Sequence, residues 1–213
     1  MTPASATRRG LVGGAAALAA TAAIADPAPF VVTAPQPDDM TLGRQRARVV
    51  VIEYASAGCP HCAKWANEVF PAFKAKYVDT GRVRFVLREV ITGQPAVATA
   101  GFMIARCVAP DKYFDVVDGV FARQAAIFDG KVAPGAALEE VAKSVGMDEA
   151  AFQDCLQNQS ILDAVNARSQ RHATVDGVDT TPTFFVGDKR LDGEQSLDQL
   201  GEAIAAASRR RRR

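Results

Sequence analysis

Two thiols three positions apart, Cys59 and Cys62, enclose Pro60 and His61. At the start of a helix that spacing lets the sulfurs close a small disulfide ring, and it makes them unequal. Unpartnered backbone N–H groups and the helix dipole converge on the first of them and favour its thiolate. The second lies one turn inside, shielded but close enough to attack its neighbour. An exposed nucleophile backed by a resolving thiol is the arrangement that dithiol–disulfide exchange needs. Other chemistries also use Cys-x-x-Cys. Structural zinc needs two more ligands, usually a second close pair. The remaining cysteines, Cys107 and Cys155, are far apart, and the other histidine is His172. Covalent haem attachment needs histidine directly after the second cysteine, and Ala63 stands there. An inert structural disulfide stays open as the bland alternative, against which the local strand-then-helix pattern argues.

That pattern is read from apolar spacing. Val49-Val50-Val51-Ile52-Glu53-Tyr54 is an apolar run of strand length and is expected to be a buried strand. Trp65, Val69, Phe73 and Tyr77 then recur every four residues, the mark of one buried helix face running to about Val78. Pro71 lies within this span, cannot donate a backbone bond, and is expected to kink the helix. Residues 83–87 alternate as a strand, so strand–helix–strand implies a parallel crossover. A short strand is expected at Met40-Thr41-Leu42.

From about residue 95 to 175 helical spacing replaces strand chemistry. Phe114, Val117, Val120 and Phe121 form one stripe, and Leu138, Val141 and Val145 another. Asp148 is expected to cap a third helix carrying Phe152, and Ile161, Ala164, Val165 and Arg168 mark a fourth. These stripes read as a helical core. Strand chemistry returns at 180–186. Gly187-Asp188 turns the chain into a hairpin through Lys189-Arg190-Leu191. Ser196 is placed to cap a last helix with Leu197, Leu200 and Ile204 on one face.

The chain has 213 residues, enough for one well-buried domain of moderate size. Arg8-Arg9, a mildly apolar Ala/Gly-rich run over 11–24 and the small-residue pattern Ala23-Ile24-Ala25 read as an export signal occupying 1–25. Thr7-Arg8-Arg9-Gly10-Leu11-Val12 resembles a twin-arginine signal, and the ordinary secretion route stays open. The run is too short for a stable membrane anchor. The mature chain is expected to be soluble in an oxidising compartment, where disulfides persist. Arg8, Arg9 and the tail 209–213 hold seven of the 25 basic residues, which leaves the body 18 against 24 acidic ones, a net charge of −6. An acidic body without interleaved aromatic and basic residues argues against nucleic-acid binding. The tail reads as a solvated end. The simplest pairing of four cysteines is 59 with 62 and 107 with 155, although three connectivities exist and two buried free thiols are the alternative for Cys107 and Cys155. A 107–155 bridge would close a loop of 49 residues, an entropic stabilisation of about 4 kcal/mol.

Cys59-Pro60-His61-Cys62, followed far downstream by Thr181-Pro182 ahead of a hairpin and a final helix, resembles the α/β thioredoxin-like fold. An inserted α-helical domain between its halves resembles the DsbA family of periplasmic thiol–disulfide oxidoreductases, and the Pro-His dipeptide is that of the strongly oxidising members. The implied organisation is a flexible arm at 26–38, a first thioredoxin-like half at 39–94, the helical insertion at 95–175, a second half at 176–208 and the basic tail. The resemblance implies that Cys59 attacks and Cys62 resolves, the two forming the redox-active disulfide. His61 would donate towards the Cys59 sulfur. Glu53 would be a buried acid that moves protons to and from Cys62, its alternative being a solvent-facing strand residue. Pro182 would be a cis-proline holding the Thr181 backbone beside Cys59, its alternative an ordinary trans proline. There Thr181, Pro182 and Pro60 would meet a substrate strand by edge addition. The pair Cys107/Cys155 resembles that of a subgroup with a second, structural disulfide. Thr181 departs from the valine common before that proline, and the insertion is short.

The implied function is the introduction of disulfides into exported proteins. Its partners would be reduced, unfolded exported proteins and a membrane quinone-linked reoxidase or other redox partner. No metal or organic cofactor, no nucleic acid and no stable membrane insertion are implied, and a monomer is expected. The rival readings are a reductase or isomerase on the same thiols, and a non-catalytic chaperone-like binding protein. Such isomerases usually carry an N-terminal dimerisation domain, for which the short arm leaves no room.

Overall fold

The computed structural model describes Met1 and residues 34–210. The expected export signal, most of the arm and residues 211–213 of the tail lie outside the described residues. A five-stranded sheet has the order β1-β3-β2-β4-β5, with β1 at Met40–Leu42, β2 at Val49–Ala55, β3 at Val83–Glu89, β4 at Thr183–Val186 and β5 at Lys189–Asp192. β2 and β3 are parallel and pair Val49 with Val83 through Ala55 with Glu89. The other neighbours are antiparallel. β2 and β3 lie inside the sheet and are largely buried on both faces, β2 through apolar side chains and β3 through Val83, Phe85 and Leu87 on one face and Val86 with the ion-paired Arg88 on the other.

Alternation along β2 sorts its side chains between two cores. Val49, Val51 and Ala55 join the main core, while Ile52 and Tyr54 join a smaller one with Val86, Val90, Val178 and Phe185. Glu53 therefore points with Val51 and Ala55 into the main core. Helix α1, Pro60–Glu68, covers that face. It ends where the Val69 N–H bonds to Trp65 O, and α2, Phe70–Phe73, starts anew with Pro71 in its first turn. The expected kink takes the form of a one-residue interruption at Val69, whose backbone stays in the right-handed helical region, and a π-helical segment follows at Lys74–Val78. A proline tolerated in a first turn but not in a helix interior explains the interruption. Trp65 lies at the centre of the main core, with ring centroids of Phe184 at 4.7 Å, Phe70 at 5.5 Å, Phe73 at 6.0 Å and Phe85 at 6.3 Å.

The helical insertion comprises α3 at Pro95–Cys107, α4 at Tyr113–Phe128, α5 at Pro134–Ser144, α6 at Glu149–Leu156 and α7 at Gln159–Thr174. Asp148 caps α6 by accepting from Ala151 N at 2.8 Å. α4 packs on α1, and α7 packs on β3, so the insertion lies against the sheet's active end. Cys107 and Cys155 are joined in a disulfide between α3 and α6, with Cα atoms 6.1 Å apart. The last helix, α8 at Leu197–Arg210, packs on β4 and β2.

Residues 34–38, expected to belong to a loose arm, are tied down. Ala34 O accepts from Arg88, Asp38 O from Arg106, and the Asp38 carboxylate from Arg171. The prolines that mark this stretch as irregular are real, but its polar groups find fixed cations on β3, α3 and α7. Among the described residues no helix is long and apolar enough to cross a membrane, and no group of three or more His, Cys, Asp or Glu could hold a metal ion.

Candidate active site

β2 leaves the sheet at Ala55, and a short turn delivers Cys59 to the N-cap of α1, with Pro60 in the first turn. The turn is held by Ser56, whose hydroxyl accepts from Gly58 N at 3.1 Å and Thr92 N at 3.2 Å and donates to Thr92 O at 2.9 Å. Cys59 and Cys62 are both free thiols, 7% and 0% exposed. From the opposite side comes the Thr181–Pro182 bond, which is cis. Thr181 O accepts from the Cys59 thiol at 3.3 Å, and the Thr181 hydroxyl lies 2.9 Å from that of Thr92.

The two thiols are electrostatic opposites. A hydrogen bond from the Cys62 thiol pulls the Cys59 pKa down to about 5, against the effect of burial. The Thr181 hydroxyl and the backbone N–H groups of Cys62 and His61 add to that lowering. Burial pushes Cys62 well above an ordinary thiol, helped by its hydrogen bond to Cys59 and by the Glu53 charge. Glu53 is 2% exposed, and one of its carboxyl oxygens has no hydrogen-bond partner among the described residues. Burial raises its pKa well above the carboxylate range, with the Asp118 and Cys59 charges adding to the effect. A solvent-facing Glu53 is thereby ruled out. The arrangement provides a thiolate, a buried protonated thiol and a buried acid in sequence, the elements of an exchange reaction with internal proton transfer.

His61 does not sit as expected. Its imidazole Nδ1 lies 2.7 Å from Glu194 Oε1, and the side chain is 72% exposed. The carboxylate, shared with Lys64 at 2.8 Å, captures the ring, so His61 serves Cys59 through its backbone N–H. Glu194 is fixed because the neighbouring Gln195 O accepts from Trp65 Nε1 at 2.9 Å. The pairing joins residues 133 apart in sequence, and no local pattern announces it. Ser56, Thr92 and Asp118 were equally hidden in the sequence. A turn signal at Thr92-Gly93 was available for one of them.

The model of the family described as thioredoxin matches residues 35–206. This chain belongs to the thioredoxin family. Within that family, its helical insertion and its structural neighbours place it on the DsbA-like branch. The DsbA1 crystal structure of Wolbachia pipientis is 25% identical, with a TM-score of 0.74 over 83% of this chain and 94% of that one. The disulfide bond formation protein D of Bacillus subtilis is 26% identical over 167 residues, 76% of this chain and 74% of that protein. A Rickettsia typhi protein, provisionally named a protein-disulfide oxidoreductase, is 28% identical over 170 residues, 80% of this chain. The chain spans about three fifths of the length of the Rickettsia relatives it matches.

Proposed function

We propose that this chain is a thiol–disulfide oxidoreductase that donates disulfides to exported proteins in an oxidising compartment. The observation that carries the reading is the asymmetry of one pair: Cys59 ionises near 5 while Cys62 is held protonated. A thiolate stabilised by the two pH units between 5 and 7 favours the reduced form by about 3 kcal/mol, or about 60 mV of added oxidising power. In the oxidised protein a substrate thiolate attacks Cys59 Sγ. The Cys59–Cys62 bond breaks, a substrate–Cys59 bond forms, and the Cys62 thiolate takes a proton from Glu53. A second substrate thiolate then attacks the substrate sulfur and expels Cys59 as a thiolate. The substrate leaves oxidised, and a separate redox partner restores the Cys59–Cys62 disulfide. Thr181 O, beside Cys59, is the backbone acceptor for an extended substrate segment.

The experiment is equilibration of the protein with glutathione. A reduction potential near about −120 mV fits a disulfide donor, and one near about −270 mV makes the chain a reductase. Cys59→Ser abolishes exchange under this reading. Exchange that survives the substitution would sink it, and absence of exchange in the unsubstituted protein would favour the chaperone-like reading.

A further inference from the structure

Between α1, β2, β3 and α4 the main core contains a cavity of about 10 Å³, lined by Glu53, Trp65, Phe114, Asp118 and Phe121 among others. That volume is about the minimum for one water molecule, given polar partners. Glu53, one of whose carboxyl oxygens has no hydrogen-bond partner among the described residues, lines one wall of it. Asp118, on α4, belongs to another wall and reaches the molecular surface. Otherwise the wall is aromatic and aliphatic. Cys62 gains and loses its proton in the reaction, yet it is fully buried, and so is the acid beside it. Bulk water reaches neither directly.

We propose that Asp118 is the outer station of a proton path that runs from solvent through one cavity water to Glu53 and on to the Cys62 sulfur. The inference rests on the exchange reaction proposed above. Asp118 touches no reacting atom and acts through Glu53. In the closing step Cys62 Sγ attacks Cys59 Sγ of a mixed disulfide. The substrate–Cys59 bond breaks, the Cys59–Cys62 bond forms, and the substrate leaves as a thiolate. The Cys62 proton passes to Glu53, which has first given its own to Asp118 and thence to solvent. In the opposite step a proton enters by the same route. The groups facing Asp118 are Glu53 across the cavity, Asp115 on its own helix and Lys74 from the π-helical segment. Burial first, and then Asp115, raise the Asp118 pKa to about 6, with Lys74 opposing. That value lets it both take and give a proton near neutral pH.

The test mixes the reduced full-length protein with oxidised glutathione in a stopped flow. The first phase, Cys59 attack, reads the thiolate alone; the second, Cys62 closure, reads the proton path. Asp118→Asn is expected to leave the first phase unchanged and slow the second about tenfold at pH 7. It should also erase the inflection near pH 6 in the second-phase profile, and Asp118→Glu should restore both. A purely structural role for Asp118 would leave that inflection in place in Asp118→Asn. Equal second phases in wild type and Asp118→Asn at every pH would overturn the path while leaving the exchange reading intact. Absence of the first phase in wild type would overturn both.

Discussion

Ionisation of Cys59 near 5 ties the stability of the reduced protein to pH. An unfolded thiol titrates near the ordinary value of 9.0. Between those values the native state holds the thiolate while the unfolded state still binds the proton, so stability rises with pH. It is fully present above about 9 and is lost as pH falls through about 5. The oxidised protein has no such group. Melting both forms at pH 5 and pH 7.5 should show the reduced form gaining on the oxidised one by about 3 kcal/mol. A gap that does not move with pH would mean an ordinary Cys59. The raised Cys62 works in the other sense, but only above its unfolded value, outside that window. The same residue scale assigns a small role to the His61 ring. Because Glu194 holds it, His61→Ala should move the Cys59 pKa by less than about half a unit. Removal of the Thr181 hydroxyl in Thr181→Val should raise that pKa by more. Absorbance titration of the thiolate at 240 nm compares them directly, and a larger effect of His61→Ala would contradict the observed ring position.

At the scale of elements, the turns beside the start of α1 are tightly packed against each other. Gly93 has φ +70°, and a Cβ on it would lie 2.1 Å from Gly58 O, in the turn that delivers Cys59. Gly93→Ala should therefore cost about 1–3 kcal/mol and slow Cys59 alkylation, since the displaced backbone at Gly58 is the one that carries Cys59 into the N-cap of α1. Stability within a few tenths of wild type would show that the turn yields freely. The disulfide between α3 and α6 is the other element-level constraint, and Cys107→Ala/Cys155→Ala should cost about 2–4 kcal/mol in urea unfolding. What was legible in the sequence has a physical pattern. Periodicity is a local property, so β2, β3 and the insertion helices α4 to α7 were readable from apolar spacing, whereas α3, apolar on nearly every side, showed no separate stripe. The Cys59/Cys62 pair and the Asp148 cap were readable from separations of three. Polar pairings across 49 to 133 residues were not. Nothing local links Asp38 to Arg171, Asp39 to Arg88 or Glu194 to His61. Asp118 sits on an otherwise exposed face of α4, where a charge is ordinary. Only the fold brings it to the cavity below Glu53.

On the scale of the whole molecule, one buried carboxylate joins the sheet to the insertion. Glu89, at the end of β3, is fully buried. Its oxygens accept from Arg106 of α3, from Arg168 of α7 at 2.7 Å and from Tyr113 of α4 at 3.0 Å. Three helices of the insertion thus meet at a single residue three positions before Thr92, which itself bonds to Thr181 beside Cys59. Arg106 and Arg168 are 17% and 14% exposed as side chains, so both are largely shielded from water. Glu89→Gln keeps the shape but strands two guanidinium groups, and should cost about 3–5 kcal/mol. Glu140→Gln removes the partner of Arg123 in a surface pair that is 36% and 65% exposed, and should cost less than about 1 kcal/mol. The difference between the two separates a buried clamp from charge in general. Hydrogen exchange on Glu89→Gln should show α3, α4 and α7 losing protection ahead of β2 and β3. The clamp then sets how firmly the insertion holds the loop that carries Thr92. If the helices and the sheet instead lose protection together, the hydrophobic contact of α4 with α1 holds the halves as one unit, and Glu89 merely satisfies two arginines.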